Sequence, residues 1–128
     1  MIYLDTSVAL AHLLAEDRVP PDGLWDEDLV SSRLIEYELW NRIHAKKLAR
    51  SHGEAVRSIL DRVAMVETIA PILARALDPF PGPARTLDAL HLATVDFLRQ
   101  QSVEIELASY DTRMIRLAGK LKVPLYEL

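Results

Sequence analysis

"MIYLDTSVALAHLL", residues 1–14, changes its periodicity at the fifth residue. Met1 to Leu4 form a short apolar run with β-formers, and helical spacing follows at once through Val8, Leu10, Leu13 and Leu14. The rest of the chain repeats that alternation. "LVSS" (29–32) predicts a short strand, and residues 34–48 predict a helix with Leu34, Ile35, Leu39 and Ile43 on its apolar side. A helix over 52–63, a strand near 65–69 and a short helix over 71–77 come next. "TLDALHLATVDFLRQQ" (86–101) predicts a longer helix, "EIELASY" (104–110) a strand, "TRMIRLAGKL" (112–121) a helix and "VPLYEL" (123–128) a last strand. "VPPDGLWDED" (19–28) and "DPFPGPAR" (78–85) are loops on their Pro and Gly content. Pro79, Pro81 and Pro83 also stop the following helix from extending backwards. Strand and helix in alternation imply an α/β fold with a largely parallel sheet, here as a single domain over 1–128. In open sheets of this kind, ligands gather beyond the carboxyl ends of the strands.

Composition narrows the classes. Half of the 128 residues are hydrophobic, enough for a core without covalent staples. The absence of cysteine excludes disulfides, thiolate metal sites and cysteine nucleophiles. An acid at position 5 and no basic leader predict that the N-terminus is not a signal peptide. No apolar run approaches the ~20 residues that cross a bilayer, so a soluble, cytoplasmic protein with no membrane partner is expected. The net charge is −4, but it is unevenly spread. Residues 16–28 carry Glu16, Asp17, Asp22, Asp26, Glu27 and Asp28 against Arg18 alone. Arg42 and Lys46 share one helical face, and Arg113, Arg116 and Lys120 share another.

Three acids stand where strands give way to helices or where a helix opens. Asp5 follows the first strand, Asp111 follows "EIELASY", and Asp88 opens the helix after the proline loop, with Thr86 as its natural N-cap. Each alone is explained by capping and the helix dipole. Together they point elsewhere, because parallel strands put Asp5 and Asp111 at the same sheet edge. Asp88 lies one residue from the expected buried stripe of Leu87, Leu90, Thr94 and Phe97. Glu38 is mid-helix, with no cap to make, and adjoins Leu34 and Leu39 at the edge of the core, whereas Glu36 turns towards solvent. Carboxylates that converge repel one another. An oxygen-only ligand set relieves this with Mg²⁺ or Mn²⁺, which orients water and neutralises charge on a phosphodiester.

"MIYLDTSVAL", "SSRLIEYELWNRI", "RTLDALHLATV" and "LASYDTRMIRLAGKLKV" resemble, in order, the motifs of PIN-domain proteins, especially VapC-type toxins. The resemblance implies a Rossmann-like, three-layer α/β fold and metal-dependent cleavage of RNA. It implies Asp5, Glu38, Asp88 and Asp111 as the catalytic acids. Asp5 and Asp88 would be the direct ligands of Mg²⁺ or Mn²⁺, Glu38 and Asp111 would act directly or through water, and the Thr6 hydroxyl would lend support. It further implies an antitoxin partner and a homodimer. Two alternatives stand beside it: an α/β interaction domain that binds metal without cutting, and a metal phosphohydrolase of small substrates.

Other signals are weaker. His91, one turn after Asp88, is expected to be packed and locally hydrogen-bonded rather than a ligand, and His12, His44 and His52 have no ligand spacing. No glycine-rich phosphate loop or G-x-S-x-G elbow occurs, which excludes dinucleotide, triphosphate and serine-hydrolase chemistry of those types. Trp40 stands where many relatives of the resembled family carry an aliphatic residue. Trp25 and Trp40 suit either core or interface.

Overall fold

Ile2, Tyr3 and Leu4 are all buried, as in a strand covered on both faces, and their side chains alternate between two cores. The computed structural model describes residues 1–128. Strand β1 (Ile2–Leu4) lies between β2 (Leu29–Ser32) and β4 (Glu106–Ala108), and β3 (Val63–Val66) completes a sheet of order β3-β2-β1-β4. Every neighbouring pair is parallel, with Ile2 opposite both Leu29 and Glu106.

Six helices cover the sheet: α1 (Thr6–Leu13), α2 (Leu34–Ala45), α3 (Ala49–Asp61), α4 (Ala70–Leu77), α5 (Thr86–Gln100) and α6 (Thr112–Lys120). On one face Ile2, Leu4 and Leu29 pack with Val8 and Leu13 of α1, Ile35, Leu39 and Ile43 of α2, and Val56 and Ile59 of α3. On the other face Tyr3, Val30 and Leu107 pack with Leu92 and Val95 of α5 and Met114 and Leu117 of α6. The expected three layers are present. Burial of leucines such as Leu4, Leu39 and Leu92, each at 0% exposure, contributes about 1.5–3 kcal/mol apiece.

Several expectations shift. α2 ends at Ala45 and not at 48, because Lys47 adopts a left-handed φ of 57° and turns the chain into α3, which begins at Ala49. β3 sits at 63–66 rather than 65–69, since its pairing with β2 starts at Val63 opposite Leu29. The last strand is reduced to one parallel bridge between Leu107 and Leu125. The N-cap of α5 is Arg85, not Thr86, and the Asp88 carboxylate reaches back to accept the Arg85 N–H at 3.3 Å. The buried face of α5 is also not the expected one. Asp88, His91, Leu92, Thr94 and Val95 face inward, while Leu87 is exposed and Leu90 and Phe97 are half-buried. Because α5 packs against both the sheet and α4, its inner face is broader than a single apolar stripe and includes Asp88.

Trp25 and Trp40 both pack partly against the first core. Arg57 lies 5.4 Å over the Trp40 ring, and His44 stacks on it at 5.6 Å.

Candidate active site

The sheet order places β1 centrally: the chain builds outward through β2 and β3, then crosses to β4 on the far side. The carboxyl ends of β1 and β4 therefore flank the switch point, where open α/β sheets hold ligands. Asp5 leaves β1 there, and its N–H donates to the Ala108 carbonyl of β4 at 3.0 Å.

Asp5 occupies the N-cap position of α1, yet its side chain makes no cap bond. Its Oδ2 instead accepts the hydroxyls of Ser7 at 2.5 Å and Ser109 at 2.8 Å. Those hydroxyls in turn accept the N–H groups of Tyr110 (2.9 Å, to Ser7) and Asp111 (3.0 Å, to Ser109). The turn from β4 into α6 is thus stitched to Asp5 through two serines. Burial raises the Asp5 carboxyl above its ordinary value; His91 and the two hydroxyls pull it down, and Glu38 pushes it further up.

Glu38 lies near the core edge, with its side chain 17% exposed against 46% for Glu36. Its partner is His91, whose Nε2 is 2.5 Å from Glu38 Oε1. The Nδ1 of His91 bonds the hydroxyl of Tyr3 at 2.7 Å, and that hydroxyl accepts the Ser32 N–H at 3.1 Å. With Glu38 ionised, Nε2 must carry a proton, so the imidazole aims a donor at the carboxylate. His91 is buried, which alone lowers its pKa; the hydrogen bond and charge of Glu38, with the charges of Asp5 and Asp88, outweigh this and the net shift is upward. The contacts of His91 reach two other elements, β1 and α2, and are not the local ones expected from the sequence.

Asp88 is buried in the first turn of α5, and Arg113 of α6 approaches its Oδ2 at 4.0 Å. Glu38 therefore bonds the His91 imidazole directly, whereas Asp5 and Asp88 act on it through their charge alone. Asp111 is placed differently. Its Oδ1 caps α6, accepting the N–H groups of Arg113 at 2.9 Å and Met114 at 3.3 Å, and its link to Asp5 runs through Ser109. The structure brings no three His, Asp or Glu side chains close enough together to hold a metal ion.

A two-carboxylate site still suits these residues, since Mg²⁺ commonly takes one or two carboxylates and keeps several waters. The fit rests on two observations: a buried carboxylate whose ionisation is disfavoured, and the Thr6 Oγ1, buried without any hydrogen-bond partner. Both lie on adjacent residues at the switch point.

Ser7, Ser109, Tyr3 and His91 are the site residues that sequence reasoning missed or undervalued. The signal for the serines was their closeness to acids, in "DTS" and "SYD". Nothing in the sequence pairs Tyr3 with His91, which is 88 positions away.

Glu38 lines one cleft, and the residues that follow Asp111 line another. One, of about 240 Å³, is lined by residues that include Thr6, Tyr37, Glu38, Asn41 and Arg42. The other, of about 360 Å³, has Gly82 and Pro83 on one wall and Arg113, Arg116 and Lys120 of α6 on the other. No helix is long and apolar enough to cross a membrane.

Residues 2–120 match the family model described as the PIN domain. The chain is 35% identical to Ribonuclease VapC35 of Mycobacterium tuberculosis, an alignment that covers 96% of this chain and 93% of that protein. It is 28% identical to Ribonuclease VapC47 of the same organism, over 90% of this chain and 88% of that protein. No solved structure matches.

Proposed function

Because this chain belongs to the PIN-domain family, we propose that it is a metal-dependent endoribonuclease, the toxin of a toxin–antitoxin pair, working as one domain in the cytoplasm. The observation that carries this reading is the PIN-domain match over residues 2–120, supported in the fold by buried Asp5 at the sheet's switch point and by the Glu38–His91 pair. The two relatives named above carry the word ribonuclease in their names, which supports RNA as the substrate.

Asp5 and Asp88 would hold Mg²⁺ or Mn²⁺ directly, with Glu38 and Asp111 acting directly or through water and the Thr6 hydroxyl available to a ligated water. When bound, such an ion supplies a water of lowered pKa and neutralises charge on the scissile phosphodiester. The chain's own groups prepare the site. Ser7 and Ser109 fix the Asp5 carboxylate, and His91, itself held by Tyr3, fixes Glu38. Arg113 offsets the charge of Asp88, and with Arg116 and Lys120 it offers a cationic wall for the RNA backbone. A net charge of −4 does not oppose this, since phosphate affinity follows the local patch.

A small antitoxin protein is the expected partner. A homodimer is the expected assembly, and Ile69, Leu73 and Leu77, spaced four apart and exposed by 42%, 48% and 87%, support it as an open apolar stripe at α4.

The deciding experiment incubates the protein with structured RNA and Mg²⁺ or Mn²⁺, beside a chelator control and an Asp5→Asn variant. Cleavage that needs both the metal and Asp5 is expected. Metal binding without cleavage would favour a non-catalytic interaction domain, and turnover of a simple phosphate ester but not RNA would favour a small-substrate phosphohydrolase.

A further inference from the structure

We propose that the cleft beside Glu38 receives one unstacked RNA nucleotide, with Tyr37 as the platform for its base, Asn41 at the base edge and Arg42 on its phosphate. This rests on the endoribonuclease reading and adds a binding subsite to it.

The first support is placement. Tyr37 and Asn41 are one turn apart on α2, as are Glu38 and Arg42, so the four residues form two adjacent rows on one helical face. That face lines the 240 Å³ cleft, which Thr6 also borders. A cleft of this size falls below the roughly 300–1,000 Å³ of pockets that enclose drug-sized ligands, and suits a single ring system.

The second support is what the side chains leave unused. Tyr37 is 63% exposed, a large aromatic surface facing solvent next to the half-buried Glu38. Glu38 precedes Arg42 by four residues, the order that favours an ion pair along a helix. Yet Glu38 turns to His91 instead, and Arg42 forms no ion pair. A guanidinium left unpaired at the rim of an acidic site is a ready phosphate ligand. Thr6, which also borders this cleft, has a buried hydroxyl with no partner.

Aromatic face, amide and unpaired guanidinium together match a nucleotide: stacking for the base, paired donors and acceptors for its edge, and charge for the phosphate. Double-stranded RNA would not offer its bases to Tyr37, so the subsite selects single-stranded segments.

The test uses a short fluorescent single-stranded RNA pool of random sequence, with binding measured in the Asp5→Asn background so that the RNA stays whole. Tyr37→Ala is expected to weaken binding about fivefold to a hundredfold, the range for one base–aromatic stack, while Tyr37→Phe keeps it. Arg42→Gln should weaken binding for all sequences and lower the salt slope by about one. With Asp5 intact, Asn41→Ala should change the nucleotide preference beside the cut, read by sequencing the cleaved ends. All three positions are exposed, so these variants fold. Unchanged affinity and salt slope in both Tyr37→Ala and Arg42→Gln would overturn the proposal. So would variants that bind RNA normally but escape inhibition by the co-expressed antitoxin, which would make the cleft a protein-docking site. Failure of the underlying nuclease reading looks different: the parent protein itself would then neither bind nor cut RNA.

Discussion

Tyr3→Phe removes one oxygen and leaves the ring in place, which makes it a clean probe of the link between sheet and site. The Tyr3 hydroxyl accepts from the Ser32 N–H at 3.1 Å and bonds His91 Nδ1 at 2.7 Å. Tyr3 and Ser32 are 0% exposed and His91 is 2% exposed, so water cannot replace the lost partner. Two buried polar groups left unsatisfied cost about 1–3 kcal/mol each. The phenylalanine ring is easier to bury than the phenol, and the net loss should be roughly 2–4 kcal/mol. For a domain of this length each kcal/mol lowers Tm by about 3–5 °C, so a fall of about 6–20 °C is expected. Urea unfolding should show a lower midpoint with an unchanged slope, because the surface exposed on unfolding is the same. All four acids remain, so stabilisation by Mn²⁺ should persist while RNA cleavage falls, since the imidazole that aims at Glu38 is no longer fixed. Combining Tyr3→Phe with His91→Leu should cost less than the two singly, by about 0.5–3 kcal/mol. A single-variant loss under about 0.5 kcal/mol, the size of an ordinary surface change, would refute the reasoning, as would strict additivity.

Asp5→Asn removes a buried carboxylate whose ionisation is disfavoured, so the metal-free variant should melt no lower than the wild type. Mn²⁺ at a hundred times its dissociation constant should stabilise the wild type by about 2.7 kcal/mol, and the variant should lose most of that gain; a wild type unresponsive to metal would sink the metal site. The pH dependence follows from the same group. Because the folded carboxyl is raised, the native state holds this proton more tightly than the unfolded chain does. Its contribution is whole below the ordinary aspartate range and is lost as pH climbs through the raised value, so metal-free wild type should fall relative to Asp5→Asn across that window in melts at stepped pH. Charge reversal of Arg113, Arg116 and Lys120, which form one wall of a cleft, should weaken RNA binding and flatten its salt dependence; an unchanged slope would leave them as solvated charges. Leu73→Glu with Leu77→Glu should shift any dimer to monomer in sedimentation, and an unaltered dimer would place its interface elsewhere.

The alternation of strands and helices was legible because β1 and the apolar sides of α1 and α2 carry clean local periods. Helix ends were less so. Ala15, Lys47, Ser102 and Lys122 all take positive φ just beyond a helix, and none is the glycine that usually marks such a stop. α5 misled for a related reason: Leu87 and Leu90 suggest one stripe, but a helix pressed between sheet and α4 buries Asp88 and His91 instead. The positions of Asp5, Glu38 and Asp88 could be reasoned from strand ends and helix faces. Their arrangement could not, because it depends on Tyr3, His91, Ser7 and Ser109, whose contacts span from two to 104 positions. Asp111 illustrates the limit well. Its capping role and its place beside the site follow from the same position, and only the geometry shows its Oδ1 turned to α6.

The single bridge at Leu107 reaches further than its size suggests. In a parallel strand the N–H and carbonyl of one residue point to the same side, and neighbouring residues point oppositely. Glu106 and Ala108 face β1, where Glu106 donates to Met1 and Ala108 accepts from Asp5. Leu107 alone presents its backbone outward, and both groups are taken: its N–H by the Pro124 carbonyl at 2.8 Å and its carbonyl by the Tyr126 N–H at 2.9 Å. A strand of three residues has no other outward groups, so one bridge closes that border of the sheet completely. Strand addition from a second chain, the usual route by which exposed β-edges aggregate, finds no template there. Removing residues 124–128 would reopen it, and would turn a sealed margin into an adhesive one directly beneath the turn that carries Ser109.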